Sequence, residues 1–77
     1  MEPYKNLSGK SGVIAYEIST DSIEVEFKGS ILYLYNYSTP GQRDVEQMKR
    51  HAIAGVGLNS YINTYVGKRY AQKRKRP

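Results

Sequence analysis

The chain lacks cysteine, has a single histidine and contains no long apolar run. Without cysteine there is neither a disulfide framework nor a thiolate nucleophile. No stretch approaches the roughly 18 apolar residues that mark a membrane-spanning helix, and the N-terminus lacks the apolar segment of a secretory signal. These absences predict a soluble protein that stays inside the cell. We expect it in the cytoplasm, a compartment with which the lack of cysteine agrees.

Residues suited to catalysis are also scarce. His51 has no thiol or Ser-His-acid arrangement to join, and no cluster of metal-ligating side chains is present. Glu24 and Glu26 are two residues apart, but acids at this spacing usually form the polar side of a strand. Gly55-Val56-Gly57 lacks the further glycine and the lysine of phosphate-binding loops. The sequence therefore predicts no enzymatic activity, no cofactor, no metal and no small-molecule substrate.

Positive charge is concentrated at the C-terminal end. Residues 1–66 hold six cations and seven acids, a net charge of −1, whereas residues 67–77 hold six cations and no acid. The six are Lys68, Arg69, Lys73, Arg74, Lys75 and Arg76. A run of like charges repels itself and stays solvated, so we expect residues 71–77 to be a disordered basic tail unless a polyanion orders them.

The rest of the chain is long enough for one domain. Residues 1–12 contain Pro3, Gly9 and Gly12 without apolar periodicity, which indicates a flexible N-terminal segment. The domain proper is expected at residues 13–70.

Apolar alternation predicts three strands. Ile23, Val25 and Phe27 alternate with Glu24 and Glu26, as in a half-buried strand. A β-branched run at residues 13–18 precedes it, with Ile14, Tyr16 and Ile18 on one face. A second run, at residues 31–37, follows the glycine-containing break at residues 28–30. Short turns between these segments predict an antiparallel meander.

The length of the loop between the second and third strands decides which side chains reach the core. A two-residue loop places Phe27 opposite Leu32 and turns the tyrosines to the outer face. A three-residue loop places Phe27 opposite Ile31 and Val25 opposite Tyr33, so that the tyrosines line the core. The sequence leaves both registers open.

Helical periodicity begins after residue 41. One apolar stripe contains Val45, Met48, Ala52 and Ile53, and a second contains Leu58, Tyr61, Ile62, Tyr65 and Val66. Gly55 and Gly57 separate the two stripes. The predicted fold is therefore α+β: a three-stranded antiparallel β-meander followed by one or two helices packed on one face.

Several short motifs, in this order, resemble the KTSC domain, a small bacterial module. They are Ile14-Ala15-Tyr16-Glu17, Ile23-Glu24-Val25-Glu26-Phe27, Gly29, Tyr33-Leu34-Tyr35, Tyr61-Ile62-Asn63, Val66 and Tyr70. The resemblance covers roughly residues 11–70. The chain departs from the family pattern at Gly57 and Asn59, where a Ser-x-Gly step is usual, and at Gly67, where a basic residue is usual.

The resemblance implies that Tyr33 and Tyr35 share the core face with Phe27 and that Leu32 and Leu34 are exposed. The family occurs alone or at the C-terminus of some lysyl-tRNA synthetases. Its activity is uncharacterised, and RNA binding has been suggested for it.

Two functions are compatible with these residues. The first is weak, salt-sensitive binding of RNA or single-stranded nucleic acid, with the six C-terminal cations on phosphate and Tyr33 and Tyr35 either stacking on bases or packing in the core. On this hypothesis, truncation after Tyr70 leaves the fold intact and removes most of the affinity. The alternative is a protein-interaction or self-association module, including a homodimer through the sheet edge at the third strand, where Leu32 and Leu34 are expected to be exposed.

Overall fold

The computed structural model describes residues 1–76, which form one antiparallel sheet with helices packed on one of its faces. The strands are β1 (Glu2–Pro3), β2 (Val13–Ser19), β3 (Ser22–Phe27), β4 (Ile31–Asn36) and β5 (Gln72–Lys75). The helices are α1 (Gln42–Ala54) and α2 (Leu58–Tyr61), and α2 continues directly into a π-helical turn at Ile62–Val66.

The sheet order β1-β2-β3-β4-β5 follows the chain. The α+β class is confirmed, but the sheet has five strands where three were predicted. Both additional strands lie in segments expected to be without structure. In the N-terminal segment, β1 pairs with β2. The Tyr4 amide extends this pairing by donating to the Ile14 carbonyl at 2.9 Å, and the Tyr4 side chain is buried in the core.

The expectation of a disordered basic tail is wrong for Gln72–Lys75, which form β5 along the edge of β4. Repulsion among its cations is offset by main-chain pairing with β4 and by two acids on β3, described below. The last residue of that predicted tail, Pro77, lies outside the described residues.

The register between β3 and β4 is the one that a three-residue loop produces. Phe27 lies opposite Ile31 and Val25 lies opposite Tyr33. Ser30 in the loop has a φ of 62°, a left-handed conformation that lets the chain turn within three residues. Because cross-strand partners share a face, Tyr33 and Tyr35 lie on the helix-covered side with Val25, as the resemblance implied.

An irregularity in β2 changes one predicted face. Val13 pairs with Phe27 and Ala15 pairs with Glu26, so Ile14 is an extra residue in β2, a β-bulge. The bulge places Val13 on the core side and leaves Ile14 44% exposed. The prediction that Ile14 shares the face of Tyr16 and Ile18 is therefore wrong.

The core lies between the sheet and both helices. Its fully buried centre contains Ile23, Val25, Tyr35, Val45, Met48 and Leu58. The π-helical turn contributes Ile62 and Val66 to the same cluster. A hydrogen bond connects α1 to the end of β4: the hydroxyl of Tyr37, the residue after β4, donates to the Glu46 carboxylate at 2.7 Å. Within residues 1–76, no helix is long and apolar enough to cross a membrane.

Candidate nucleic-acid interface

A cleft opens on the helix-covered side of the sheet, between β4 and the segment formed by α2 and the π-helical turn. Its volume is about 330 Å³. The lining side chains from the sheet and the adjoining C-terminal segment are Phe27, Ile31, Tyr33, Tyr35, Lys68 and Tyr70, and those from the helical side include Asn59, Ile62 and Asn63. None of the described residues that line the cleft is acidic. The cleft therefore suits a planar group that is neutral or negatively charged.

Tyr33 is at the centre of an aromatic cluster in this cleft. Its ring lies edge-on to Tyr70, with 4.8 Å between ring centroids, and edge-on to Phe27 at 5.4 Å. Edge-to-face contacts of this kind hold rings in defined orientations. Tyr33 is half-buried, so part of its ring stays accessible for stacking.

Tyr35 forms the floor of the cleft and is only 2% exposed. Burial, followed by the proximity of Tyr33 and Tyr70, raises the pKa of Tyr35 well above its usual value. Among residues 1–76, no hydrogen bond to another group is found for this hydroxyl, and no polar side-chain atom is fully enclosed without a partner. The Tyr35 hydroxyl therefore reaches the cleft as an unused donor and acceptor.

One of the six predicted cations lines this cleft, and a second lies beside it, over the ring of Tyr33. The Lys73 ammonium lies 5.6 Å from the centroid of the Tyr33 ring, a cation–π contact. Lys68 lines the rim. Lys75 lies opposite Ile31 on the same face as Lys73, so β5 turns two lysines toward the cleft side. Within the described part of the chain, these three lysines form no ion pair with a carboxylate.

Arg69 lies next to Lys68 in the chain but is held by an internal network. Its guanidinium contacts the Asp44 carboxylate at 3.3 Å and also donates to the Tyr65 carbonyl. The Tyr61 hydroxyl donates to the second oxygen of Asp44 at 2.7 Å. Asp44 is 9% exposed, so this network joins α1 to the helical segment through a buried carboxylate. The Arg69 guanidinium is therefore already paired with groups of the protein itself.

Arg74 and Arg76 lie on the opposite face of the sheet. Arg74 contacts both carboxylate oxygens of Glu24, at 3.1 and 3.2 Å, and Arg76 contacts Glu26 at 3.2 Å. Both acids belong to β3, two strands away from β5. The two side chains therefore cross the outer face of β4, and their charges are compensated by the acids that the sequence assigned to the polar side of β3.

These crossing arginines explain a second difference from the expected surface. Leu32 lies beside Arg74 on the outer face and is only 1% exposed, and Leu34 is half-buried. The expectation that both leucines are exposed is wrong, because β5 and its arginines cover them. β4 is also not an edge strand, so the predicted dimer contact at the third strand has no free edge to use.

The cleft contains residues that the nucleic-acid hypothesis did not select. Tyr70, Asn59 and Asn63 all line it. A signal for the two asparagines was present: they lie four residues apart, the spacing that places helical side chains on one face. Tyr70 carried no such signal, because its position depends on the return of the chain into β5.

Comparison of the chain with models of known protein families, with curated protein sequences and with solved structures finds no match in any of the three.

Proposed function

We propose that this domain binds RNA or other single-stranded nucleic acid weakly, through the aromatic cleft and the lysines around it. The observation that carries the proposal is the position of Tyr33, a partly accessible ring beneath the Lys73 ammonium in a cleft lined by no acid among the described residues. Unpaired bases stack on such rings, and adjacent cations attract the phosphates.

The basic C-terminal segment acts in this proposal through alternate residues. Lys73 and Lys75 lie on the cleft side of β5 with Lys68 nearby, and they attract the backbone of the ligand. Arg74 and Arg76 are paired with Glu24 and Glu26, and Arg69 is paired with Asp44. Their original assignment to phosphate therefore competes with contacts that hold the fold, and we assign the phosphate role to the lysines.

Membership in the KTSC family is a related proposal. It is supported by the order of the quoted motifs and by the shared face of Tyr33 and Tyr35. We also infer a non-enzymatic role: the only histidine, His51, has its Nδ1 3.2 Å from the Val56 carbonyl and its ring against Tyr61. A cytoplasmic location, where RNA is accessible, fits both proposals.

The experiment that tests RNA binding compares tRNA, a single-stranded oligonucleotide and inorganic polyphosphate at two salt concentrations. Two double variants remove the same charge from the same C-terminal segment: Lys73→Gln with Lys75→Gln, and Arg74→Gln with Arg76→Gln. We expect the lysine variant to flatten the plot of log affinity against log salt by about 1.4, since each phosphate contact to a single strand contributes about 0.7. The arginine variant should change this slope little.

Equal binding of polyphosphate and nucleic acid would contradict the proposal, because the rings would then contribute nothing. Tyr33→Ala supplies the matching measurement. Stacking of a base on an aromatic ring is worth about 1–3 kcal/mol, so this variant should weaken oligonucleotide binding at least fivefold and leave polyphosphate binding unchanged.

Protein interaction remains a second candidate because of a groove elsewhere on the surface, in which four large apolar side chains lie beside Glu2 and Glu17. Ile18 and Ile53 are 38% and 60% exposed and line this groove together with Met1 and Tyr16. Sedimentation at increasing concentration tests self-association there. If the groove joins two copies, the mass should double with concentration for the unaltered chain and stay monomeric for the variant carrying Ile18→Ser and Ile53→Ser.

A further inference from the structure

We propose that the cleft selects an unpaired adenine base. This inference rests on the proposed function and adds a base preference to it. Three features carry it: the size of the aromatic surface, two amide side chains on the facing wall, and the unused hydroxyl on the floor.

The first feature is the size and depth of the cleft. A volume of about 330 Å³ is at the small end of ligand sites and suits one nucleotide rather than a paired segment. Tyr35 closes the floor, so a base must leave its own stack to enter. Once inside, it lies near Tyr33 and Tyr70, whose ring centroids are 4.8 Å apart. A two-ring purine covers more of this surface than a one-ring pyrimidine does.

The second feature distinguishes adenine from guanine. Asn59 and Asn63 line the helical wall, and no hydrogen bond of either side-chain amide is found within residues 1–76. An asparagine amide offers one acceptor and one donor group side by side. This pattern matches the N6 donor and N7 acceptor of adenine, whereas O6 and N7 of guanine are both acceptors and suit a cation. Amides in this position therefore favour adenine.

The third feature is the Tyr35 hydroxyl. The Tyr35 ring is almost fully buried, but its hydroxyl keeps access to the cleft, where a ligand can take the place of water as its hydrogen-bond partner. A hydroxyl both donates and accepts, so it can bond a ring nitrogen or the exocyclic amine of adenine. Lys68 at the rim and Lys73 over the Tyr33 ring supply positive charge for the phosphates of the nucleotide.

The test measures the affinity of the full chain for octanucleotides of adenine, cytosine and uracil and for a mixed octanucleotide rich in guanine, at one salt concentration. We expect the adenine octamer to bind on the order of tenfold more tightly than each of the others. In the variant carrying Asn59→Ala and Asn63→Ala this preference should fall below twofold while the salt dependence stays unchanged. Thr64→Ala, on an exposed position of the same helical segment outside the cleft, is the matched control and should keep the preference.

The outcomes separate this inference from the proposed function. Equal affinity for all four octamers, or a guanine preference, would overturn the adenine assignment and leave nucleic-acid binding standing. A preference that survives in the double asparagine variant would overturn the role of the amides. Failure of every octamer to bind would refute both proposals. Tyr35→Phe gives an independent check, since it should weaken adenine binding severalfold and leave polyphosphate binding as it was.

Discussion

Gly55 ends α1 in a left-handed conformation, with a φ of 78°, and lies directly against Lys5. A Cβ atom added at Gly55 would lie 2.5 Å from the Cβ of Lys5, closer than atoms pack. Gly55 is also hydrogen-bonded to the N-terminal segment: the Leu7 amide donates to the Gly55 carbonyl at 2.8 Å. This one residue therefore fixes both the end of the helix and the path of residues 5–7.

A matched pair of glycine variants tests this role. Gly9→Ala introduces the same backbone strain, since Gly9 has a φ of 76°, but its added Cβ would meet no atom within 4 Å. We expect a loss of about 1–2 kcal/mol in the free energy of unfolding for Gly9→Ala and about 2–4 kcal/mol for Gly55→Ala, measured by urea denaturation. Equal losses would show that the contact with Lys5 is easily relieved.

The hydroxyl of Tyr61 makes the fold sensitive to alkaline pH. Burial, followed by the hydrogen bond to Asp44, raises the pKa of Tyr61 from 10.0 to about 12. Because the folded state favours the protonated phenol, its stabilising contribution is complete below pH 10 and is lost as the pH rises through about 12. The free energy of unfolding should therefore decline over this range.

Tyr61→Phe isolates this contribution from that of the other tyrosines. The variant keeps the ring and removes the titrating hydroxyl, so its stability should decline less steeply between pH 10 and pH 12 than that of the unaltered chain. Urea denaturation at pH 8, 10 and 11.5 measures the difference. Parallel declines in the two proteins would mean that Tyr61 does not titrate with the fold.

At the scale of elements, β5 gives the C-terminal segment a structural role in addition to its proposed role in binding. It completes the sheet beside β4, and its arginines cover Leu32. Truncation after Tyr70 was expected to leave the fold intact, but the structure predicts that the loss of β5 uncovers an otherwise buried leucine. The segment contributes to folding as well as to ligand attraction.

A stop after Ala71 tests this contribution. Exposing Leu32 and removing the pairing of β5 should lower the free energy of unfolding by about 2–4 kcal/mol. The full-length variant with Arg74→Gln and Arg76→Gln should lose less than about 1.5 kcal/mol, since exposed ion pairs are weak. A truncated chain as stable as the full chain would show that β5 pairs only loosely.

The elements differ in how far the sequence could predict them. The alternation in β3 predicted its two faces correctly, because one face is buried and the other is charged. The length of the β3–β4 loop stayed open, since Gly29 fits both a two-residue and a three-residue loop. The left-handed conformation of Ser30 could not be recognised from the sequence. β5 was missed because Gln72–Lys75 has no apolar residue; the acids that pair with Arg74 and Arg76 lie some fifty residues earlier in the chain.

For the candidate site, the sequence identified some of the residues at the cleft but did not show which cations are paired within the protein. Tyr33, Lys68 and Lys73 were selected from composition and charge; the structure places Tyr33 and Lys68 in the lining of one cleft and Lys73 over the Tyr33 ring. The three arginines were selected by the same reasoning, but each has a carboxylate partner far away in the sequence. Counting charge identifies cations, whereas only the fold shows which of them are already engaged.

At the scale of the whole molecule, the two faces of the sheet have different charge arrangements. The outer face pairs arginines with glutamates, and the cleft side carries lysines that have no carboxylate partner among residues 1–76. On the cleft side, Lys73 and Lys75 are therefore the cations of β5 that can act on a ligand. Ligand bound at that side should stabilise the entire fold, since binding to the native state shifts the unfolding equilibrium.

Thermal unfolding with and without a single-stranded oligonucleotide measures this linkage. At a free ligand concentration of 100 times Kd the stabilisation is about 2.7 kcal/mol, which raises Tm by more than 10 °C for a domain of this size. The variant with Lys73→Gln and Lys75→Gln should show a smaller rise at the same ligand concentration. An unchanged Tm for the unaltered chain at saturating oligonucleotide would contradict binding to the folded domain.

The alternation of lysine and arginine along β5 has a consequence for how related sequences should vary. Positions 73 and 75 need only a positive charge near the cleft, so either basic residue should be acceptable there. Positions 74 and 76 need a planar, forked group long enough to reach across a neighbouring strand, so lysine should be rare at them. Where a relative loses the acid at position 24 or 26, the arginine opposite should be replaced along with it, and such paired replacement would reveal the strand from sequences alone.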